Sequence, residues 1–311
     1  MTVWLAAAGV ALVPILLGRH ASAWLTGPWA SRCPRAALVL WQAVGLGGGL
    51  GAAALGLIAA VAPLAAAFPH GMHTLARQVL DGAGLAGLGP GHLAALAWSA
   101  GLILWLLTHT VRITVKTVAE QRRQRLLVDV LAEHSPVHDA YVLPAAEPVA
   151  YCVPGRRARV VLSRGTLELL GARELRAVLS HERAHARGRH DLVLLPFIAL
   201  AKAFPWLPAA RAAREAVPLL LEMLADDRAR RAHGPLPLAR ALVEMAAPPA
   251  AAGTLALADA GVADRVRRLL ADAGPRPGWI PAAAYSGAGL LLGGPAAVLL
   301  APLLCVLLWP M

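Results

Sequence analysis

The order of apolar and polar positions divides the chain into long hydrophobic stretches and one polar segment. A helix needs about 20 apolar residues to cross the hydrocarbon core of a bilayer. Four stretches without Asp, Glu, Lys or Arg approach or exceed that length: Thr2–Gly18, Ala36–Phe68, Leu93–Val111 and Ile280–Met311. The pattern therefore predicts four transmembrane helices, three within residues 1–111 and the fourth within residues 280–311.

The first stretch also resembles a secretory signal peptide, because Ala21–Ala23 has the small-residue pattern of a cleavage site. A signal peptide carries basic residues before its apolar core. This chain has none there, and Arg19 follows the core. We therefore expect a retained membrane anchor whose N-terminus lies outside the cell.

Basic residues in the loops predict the orientation of the four spans. The loop between the first two spans carries Arg19, Arg32 and Arg35, whereas the loop at 69–92 carries one arginine and one aspartate. Several more arginines and a lysine follow the third span. Cytoplasmic loops are enriched in Lys and Arg, so the sequence predicts a multi-pass plasma-membrane protein with both termini outside and a cytoplasmic domain at 112–279.

Charge and cysteine content narrow the class of protein further. Only 15% of the residues are charged, against about 25% in soluble proteins, and the net charge is +11. A basic domain beside an anionic inner leaflet is typical of a membrane-surface protein, and the lipid bilayer is an expected partner. No nucleic-acid recognition motif accompanies the charge, so direct nucleic-acid binding is not expected. The three cysteines suggest neither a disulfide framework nor a thiolate metal site.

The polar domain combines a short β-rich part with several helices. β-rich runs between Ala140 and Ser163 predict a small sheet or hairpin, and a charged helix over 116–132 continues the third span. The run from Asp191 to Pro208 predicts a short helix against the membrane or the domain. The fold class is therefore a mainly α membrane protein, with an α+β domain between the third and fourth spans.

The most informative motif is "HERAH", in which His181, Glu182 and His185 fit H-E-x-x-H. Residues four apart lie on one face of a helix, so both imidazoles can bind one metal ion. Glu182 is then placed to act on a water bound to that ion. Neutral imidazoles suit zinc, and a catalytic zinc site has three protein ligands and one open position. The motif therefore requires a third ligand elsewhere.

Glu222 is the natural third ligand. It lies among apolar residues in "PLLLEMLADD", where a carboxylate without a partner would be costly to bury. Asp226 follows one helical turn later on the same face, as expected of an acceptor that holds a ligand histidine by its second ring nitrogen. The alternative interpretation is a solvated charged face at the end of a helix.

H-E-x-x-H followed by "EMLADDRA" resembles the zinc metallopeptidases whose third ligand is glutamate, the gluzincins, in two related membrane families. One comprises the HtpX and CAAX prenyl endopeptidases, and the other the BlaR/MecR-type peptidases, sensor-transducers of β-lactam resistance. Three predicted spans before the motif and one after it are similar to the BlaR/MecR type, whereas the HtpX type generally has two on each side. The chain ends at Met311 after the fourth predicted span, so we expect no extracellular penicillin-binding domain, which argues against β-lactam sensing.

The resemblance implies one Zn²⁺ bound by His181, His185 and Glu222, with Glu182 as catalytic base and Asp226 behind the ligands. Glu182 would take a proton from the zinc-bound water and pass it to the leaving amine. An oxyanion-stabilising residue is also needed, and the sequence offers four candidates without choosing among them: Tyr151, His190, Arg230 and His233.

The expected function is that of a membrane zinc endopeptidase that cleaves a protein or peptide: a cytoplasmic transcriptional repressor, a membrane protein, or itself. An HtpX-like quality-control protease, or a non-catalytic signal transducer with a retained metal site, are the alternatives, and self-association is compatible with each. Intramembrane proteolysis is excluded because Arg183, Arg187 and Arg189 make the motif helix too charged for hydrocarbon. A transporter is disfavoured because the spans hold almost no ionisable residues.

Overall fold

The computed structural model describes residues 2–66, 68–155, 157–246, 256–271 and 278–308, most of them helical. In chain order the helices are α1 (Thr2–Leu25), α2 (Pro28–Arg32), α3 (Pro34–Val61), α4 (Phe68–Leu80), α5 (Pro90–Leu131), α6 (Arg164–Leu169), α7 (Ala172–Gly188), α8 (His190–Ala203), α9 (Pro208–His233), α10 (Pro235–Ala246), α11 (Ala256–Leu270) and α12 (Trp279–Leu308). The strands are β1 (Glu133–Ser135), β2 (Ala140–Leu143), β3 (Ala150–Val153) and β4 (Arg159–Ser163).

Three of the described helices are long and apolar enough to cross a membrane: Pro34–Leu64, Pro90–Leu131 and Trp279–Ala301. They coincide with the second, third and fourth predicted spans. The first predicted span lies in α1, whose apolar part, Trp4–Gly18, is shorter than these three. The first of the four predicted spans therefore stays a prediction, and it rests on α1.

One helix boundary differs from the predicted spans, and one predicted extension of a span is confirmed. The second span was predicted to reach Phe68, but α3 ends at Val61 and a 3-10 turn, Ala62–Leu64, follows. Pro63 lies in that turn, and a proline cannot supply the backbone N–H that would continue an α-helix. The third span instead continues as α5 for 42 residues, which confirms the predicted charged extension.

α3 lies at the centre of the apolar helices, in contact with α1, α5 and α12. Its glycines allow the close approach. A Cβ atom at Gly51 would overlap the carbonyl of Ala11 on α1, and one at Gly47 would lie 2.6 Å from the carbonyl oxygen of Leu291 on α12. Small residues serve the same purpose in membrane helix pairs generally.

The strands form one four-stranded sheet with the order β1-β2-β4-β3. β2 and β4 are parallel, and the other two pairs are antiparallel. β4 is central and carries the buried Val161 and Leu162, whereas β3 is an edge strand that packs against α7. The predicted small sheet is confirmed, with β1 as an additional strand.

Two hydrophobic cores fix the position of the helix that carries H-E-x-x-H. Val178 of α7 packs in one core with Leu162 of β4, Leu238 of α10 and Leu269 of α11. A second core joins α9 to α3 and α12 through Leu221, Trp41 and other side chains. α9 therefore connects the polar domain directly to the candidate spans.

Candidate metal centre

The helix α7 presents its two motif histidines on one buried face. It starts after Gly171, buries Leu175 and Val178, and places His181 on the same side, with only 5% of that residue exposed. One turn later His185 points the same way, and the Nε2 atoms of the two rings are 3.1 Å apart. The i, i+4 spacing thus brings both nitrogens to one point, as the sequence predicts.

The helix α9 adds Glu222 to this pair. Its carboxylate oxygens lie 3.3 Å from His181 Nε2 and 3.2 Å from His185 Nε2, and donor atoms of the three residues lie within 4.8 Å of one another. Ligands on a tetrahedral zinc with bonds of 2.0–2.1 Å are about 3.3 Å apart. The two imidazoles and the carboxylate therefore fit one zinc ion and leave a fourth position open.

Burial and charged neighbours shift the pKa values of two of the metal-binding candidates, Glu222 and His181. Burial tends to raise the pKa of Glu222, but contacts with His181, His185 and Arg265 outweigh it and hold that pKa below the ordinary value. Burial tends to lower the pKa of His181, but Asp226 and Glu222 outweigh it and raise that pKa to about 9. Without metal, the cluster thus holds a proton on His181 between two carboxylates.

Asp226 lies directly behind His181. It is fully buried, and its Oδ1 is 3.0 Å from His181 Nδ1, the nitrogen that faces away from Glu222. A buried carboxylate at this place favours the ring tautomer whose Nε2 lone pair is free for a metal. Asp226 therefore occupies the place that its spacing from Glu222 predicts.

Arg265 on α11 joins both carboxylates, and the sequence analysis missed it. It donates from Nε and Nη2 to the two oxygens of Asp226 at 2.9 and 2.7 Å, and its Nη1 lies 3.0 Å from Glu222 Oε2. In the sequence it is one of several arginines in "DRVRRLL". No local spacing distinguishes it from its neighbours.

His190 approaches the site from the first residue of α8. Its Nδ1 lies 2.8 Å from His185 Nδ1, so one of these nitrogens donates to the other. Burial, followed by the nearby His185 and Arg228, lowers the pKa of His190 to about 4, which leaves the ring neutral. The residue is 7% exposed and contacts His185, a metal-binding candidate, so it is not placed as a free oxyanion partner.

The chain turns sharply to place His190 there. Arg189 has a φ of 47°, a left-handed conformation that costs a non-glycine residue about 1 kcal/mol or more. Gly188 precedes it, and a Cβ atom at that position would overlap the His190 ring. The turn between α7 and α8 is thus shaped around the contact between the two imidazoles.

A cavity of about 670 Å³ opens beside the three metal-binding candidates. Glu182 lines it, and desolvation by burial raises the pKa of this carboxyl group. Tyr151 and Cys152 of the edge strand β3 form part of one wall, and Leu238, Leu242 and Met245 of α10 form an apolar part. The cavity can therefore hold a chain segment next to both the metal-binding group and Glu182.

The structure does not bring the remaining two candidates to this cavity. Arg230 donates to the carbonyls of Arg268 and Ala271 at 3.5 and 3.3 Å and lines a different cavity. His233 lies in the last turn of α9 and is not among the residues that line the site. Neither residue is therefore placed to stabilise an oxyanion at this site. Of the two candidates that do line the cavity, His190 is engaged with His185. Tyr151 therefore remains as the oxyanion candidate.

The donor set of two imidazoles and one carboxylate could hold a metal ion and is similar to that of a zinc metallopeptidase. Residues 117–258 match the model of peptidase family M48, whose members are zinc-dependent. The match runs from the polar part of α5 into α11 and includes every ligand candidate. It supports a metallopeptidase of this broad group. No curated protein and no solved structure matches the chain.

Proposed function

We propose that the chain is an integral-membrane zinc endopeptidase that cleaves protein substrates at a cytoplasmic active site. The observation that carries the proposal is the meeting of His181, His185 and Glu222 at mutual distances near 3.2 Å, with Glu182 beside them. These three residues would hold zinc, whose chemistry when bound is to acidify a water and to polarise the scissile carbonyl.

Glu182 carries the proton transfers in this proposal. Its raised pKa brings the carboxyl group closer to neutral pH, where a base that must also return a proton is most effective. It would accept a proton from the attacking water and donate it to the nitrogen of the leaving amine. Tyr151, which also lines the cavity, is the residue that we assign to the developing oxyanion.

The edge strand β3 provides a place for an extended substrate. Within the described sheet its only partner is β4, so its other edge is free for a peptide to pair with. Tyr151 and Cys152 of β3 line the cavity, which would place a paired peptide across the metal-binding group. The apolar wall from α10 favours an aliphatic or aromatic substrate side chain.

The order of the predicted spans supports assignment of the chain to one of the two related peptidase families. Three predicted spans before the domain and one after it favour a BlaR/MecR-type peptidase in the plasma membrane, with both termini outside. A transcriptional repressor or another cytoplasmic protein is then the proposed substrate. The HtpX-like alternative would instead cleave membrane proteins.

The test compares the native chain with Glu182→Gln in native membranes, by quantitative proteomics of cleavage products. Glu168→Gln is the matched control, because Glu168 is exposed on α6 and does not line the site. We expect products that vanish only in Glu182→Gln, while all three proteins bind zinc. Undiminished cleavage by Glu182→Gln would overturn the mechanism.

A further inference from the structure

α8 and α9 form a helical hairpin whose open end holds the metal-binding group. α8 starts at His190, α9 carries Glu222, and residues 204–207 connect the two helices at the other end. We call residues 202–214 the hairpin tip. The position of this tip relative to the candidate spans determines the distance between the metal-binding group and the membrane.

Three side-chain hydrogen bonds tie α8 to the candidate spans. Gln121 of α5 donates to Asp191 Oδ2 at 3.2 Å near the start of α8, and Trp105 of α5 donates to the carbonyl of Ala203 at 3.3 Å at its end. From α3, Gln42 donates to the carbonyl of Val193 at 3.3 Å. α8 therefore runs antiparallel to α5, from its polar part down to its apolar part.

Trp105 lies near the cytoplasmic end of the third predicted span, Leu93–Val111. Trp98, Leu104 and Leu107 are exposed around it, as a lipid-facing helix requires. The first charged residue on α5 is Arg112, seven positions later, about 10 Å along the helix. Tryptophan is enriched where headgroups meet acyl chains, so Trp105 favours a position near that boundary for the end of α8, to which it donates.

The hairpin tip itself has the composition of a membrane anchor. Trp206 is 69% exposed and packs edge-on against Phe204, and Leu207 is also exposed. Lys202, Arg211 and Arg214 are exposed around them. Aromatic side chains flanked by cations are suited to an anionic bilayer surface, with the rings at the acyl boundary and the charges at the phosphates.

We propose that the hairpin tip inserts into the cytoplasmic leaflet, with Trp206 and Leu207 at the acyl boundary and Lys202, Arg211 and Arg214 on the phosphates of anionic lipids. The inserted surface continues the lipid-facing surface of α5 at Trp105. It would give the polar domain a second attachment to the bilayer, independent of the spans on either side of it.

Insertion of the hairpin tip would fix the distance between the acyl boundary and the metal-binding group. α8 has 14 residues, which span about 20 Å, so the metal-binding group stands no more than about 20 Å above the boundary. An extended chain covers that distance in about six residues. If the proposed peptidase function holds, peptide bonds about six residues from a membrane-spanning segment would also be within reach of the site, in addition to those of a cytoplasmic protein.

The direct test measures the depth of residue 206 in vesicles of phosphatidylcholine and phosphatidylglycerol. A nitroxide is attached at Trp206→Cys in a chain whose Cys33, Cys152 and Cys305 are replaced by alanine. The matched position is Val137→Cys, which is 87% exposed between β1 and β2. We expect more collisions with oxygen and fewer with a water-soluble nickel chelate at 206 than at 137, and equal access to the nickel chelate at both positions would overturn the proposal.

A second measurement keeps the native cysteines and tests the charges. Lys202, Arg211 and Arg214 are all changed to glutamate, and the control changes three other exposed arginines, Arg157, Arg173 and Arg176, in the same way. We expect phosphatidylglycerol to bind roughly fivefold more weakly for each tip cation removed, with little change in the control. Equal binding by the two variants would count against the proposal. Both measurements are independent of peptidase activity, so they can also be made in Glu182→Gln.

Discussion

The Nδ1 atoms of His185 and His190 lie 2.8 Å apart, and this contact decides which nitrogen His185 can offer to a metal. If His185 Nδ1 carries the hydrogen and donates to the neutral His190, the lone pair on His185 Nε2 points to Glu222 and His181. The opposite arrangement would leave a hydrogen on the nitrogen that the site needs as a ligand. His190 thus supports His185 as Asp226 supports His181.

Replacing His190 with alanine should weaken zinc binding by about 10- to 100-fold, as removal of partners behind metal ligands commonly does. His190→Asn, whose carbonyl oxygen can still accept, should weaken it less. Competition with a calibrated chelator measures the affinity, and circular dichroism checks that the helices are retained. Unchanged affinity in His190→Ala would show that the contact does not position the ligand.

A methyl group at Gly188 should have a similar effect without removing any polar group. In Gly188→Ala the new Cβ atom would overlap the His190 ring and push it away from His185. Gly261→Ala on α11 is the control, because a Cβ atom there meets nothing within 4 Å. Chelator competition should show weaker zinc binding only in Gly188→Ala, and equal affinities in the two variants would contradict the steric argument.

These residues also show which parts of the site the sequence could predict. His181, His185, Glu222 and Asp226 are related by one helical turn within each pair, so their shared faces follow from local periodicity. His190 depends on the left-handed turn at Arg189, which no preference of arginine would indicate.

The other features that the sequence did not predict depend on contacts between segments that are distant in the chain. Arg265 reaches the site only because α11 packs against α9 and α10, and no motif around it encodes that packing. Likewise β1 has the polar sequence "EHS" and becomes a strand only by pairing with β2. The second, third and fourth predicted spans and the β-rich runs, by contrast, carry their own hydrophobic patterns, and candidate membrane helices and strands are found at these places.

The metal-free protein should lose stability as the pH rises from about 6.5 to about 9. The pKa of His181 is raised to about 9 by Asp226 and Glu222, above its value in an unfolded chain of about 6.5. A raised pKa means that the folded state holds the proton more tightly, so its contribution is complete below the lower value and lost above the higher one. Zinc-loaded protein should not show this loss, because zinc binds the neutral imidazole. Thermal unfolding of both forms across this range is the measurement, and a flat profile for the metal-free form would argue against the proton on His181.

Arg265→Ala should destabilise the protein by about 3 to 5 kcal/mol, the usual cost of removing one partner from a buried ion pair. The side chain of Asp226 is 1% exposed and that of Arg265 12%, so water cannot replace the lost contacts. Arg267→Ala, in the same helix, is the matched control, because its side chain is 75% exposed and pairs with Asp264 at the surface. Such surface pairs contribute about 1 kcal/mol or less. Thermal unfolding should therefore separate the two variants clearly. Equal melting temperatures would mean that Arg265 is not needed to hold the two carboxylates, and that the arrangement of Glu222 and Asp226 is maintained by α9 alone.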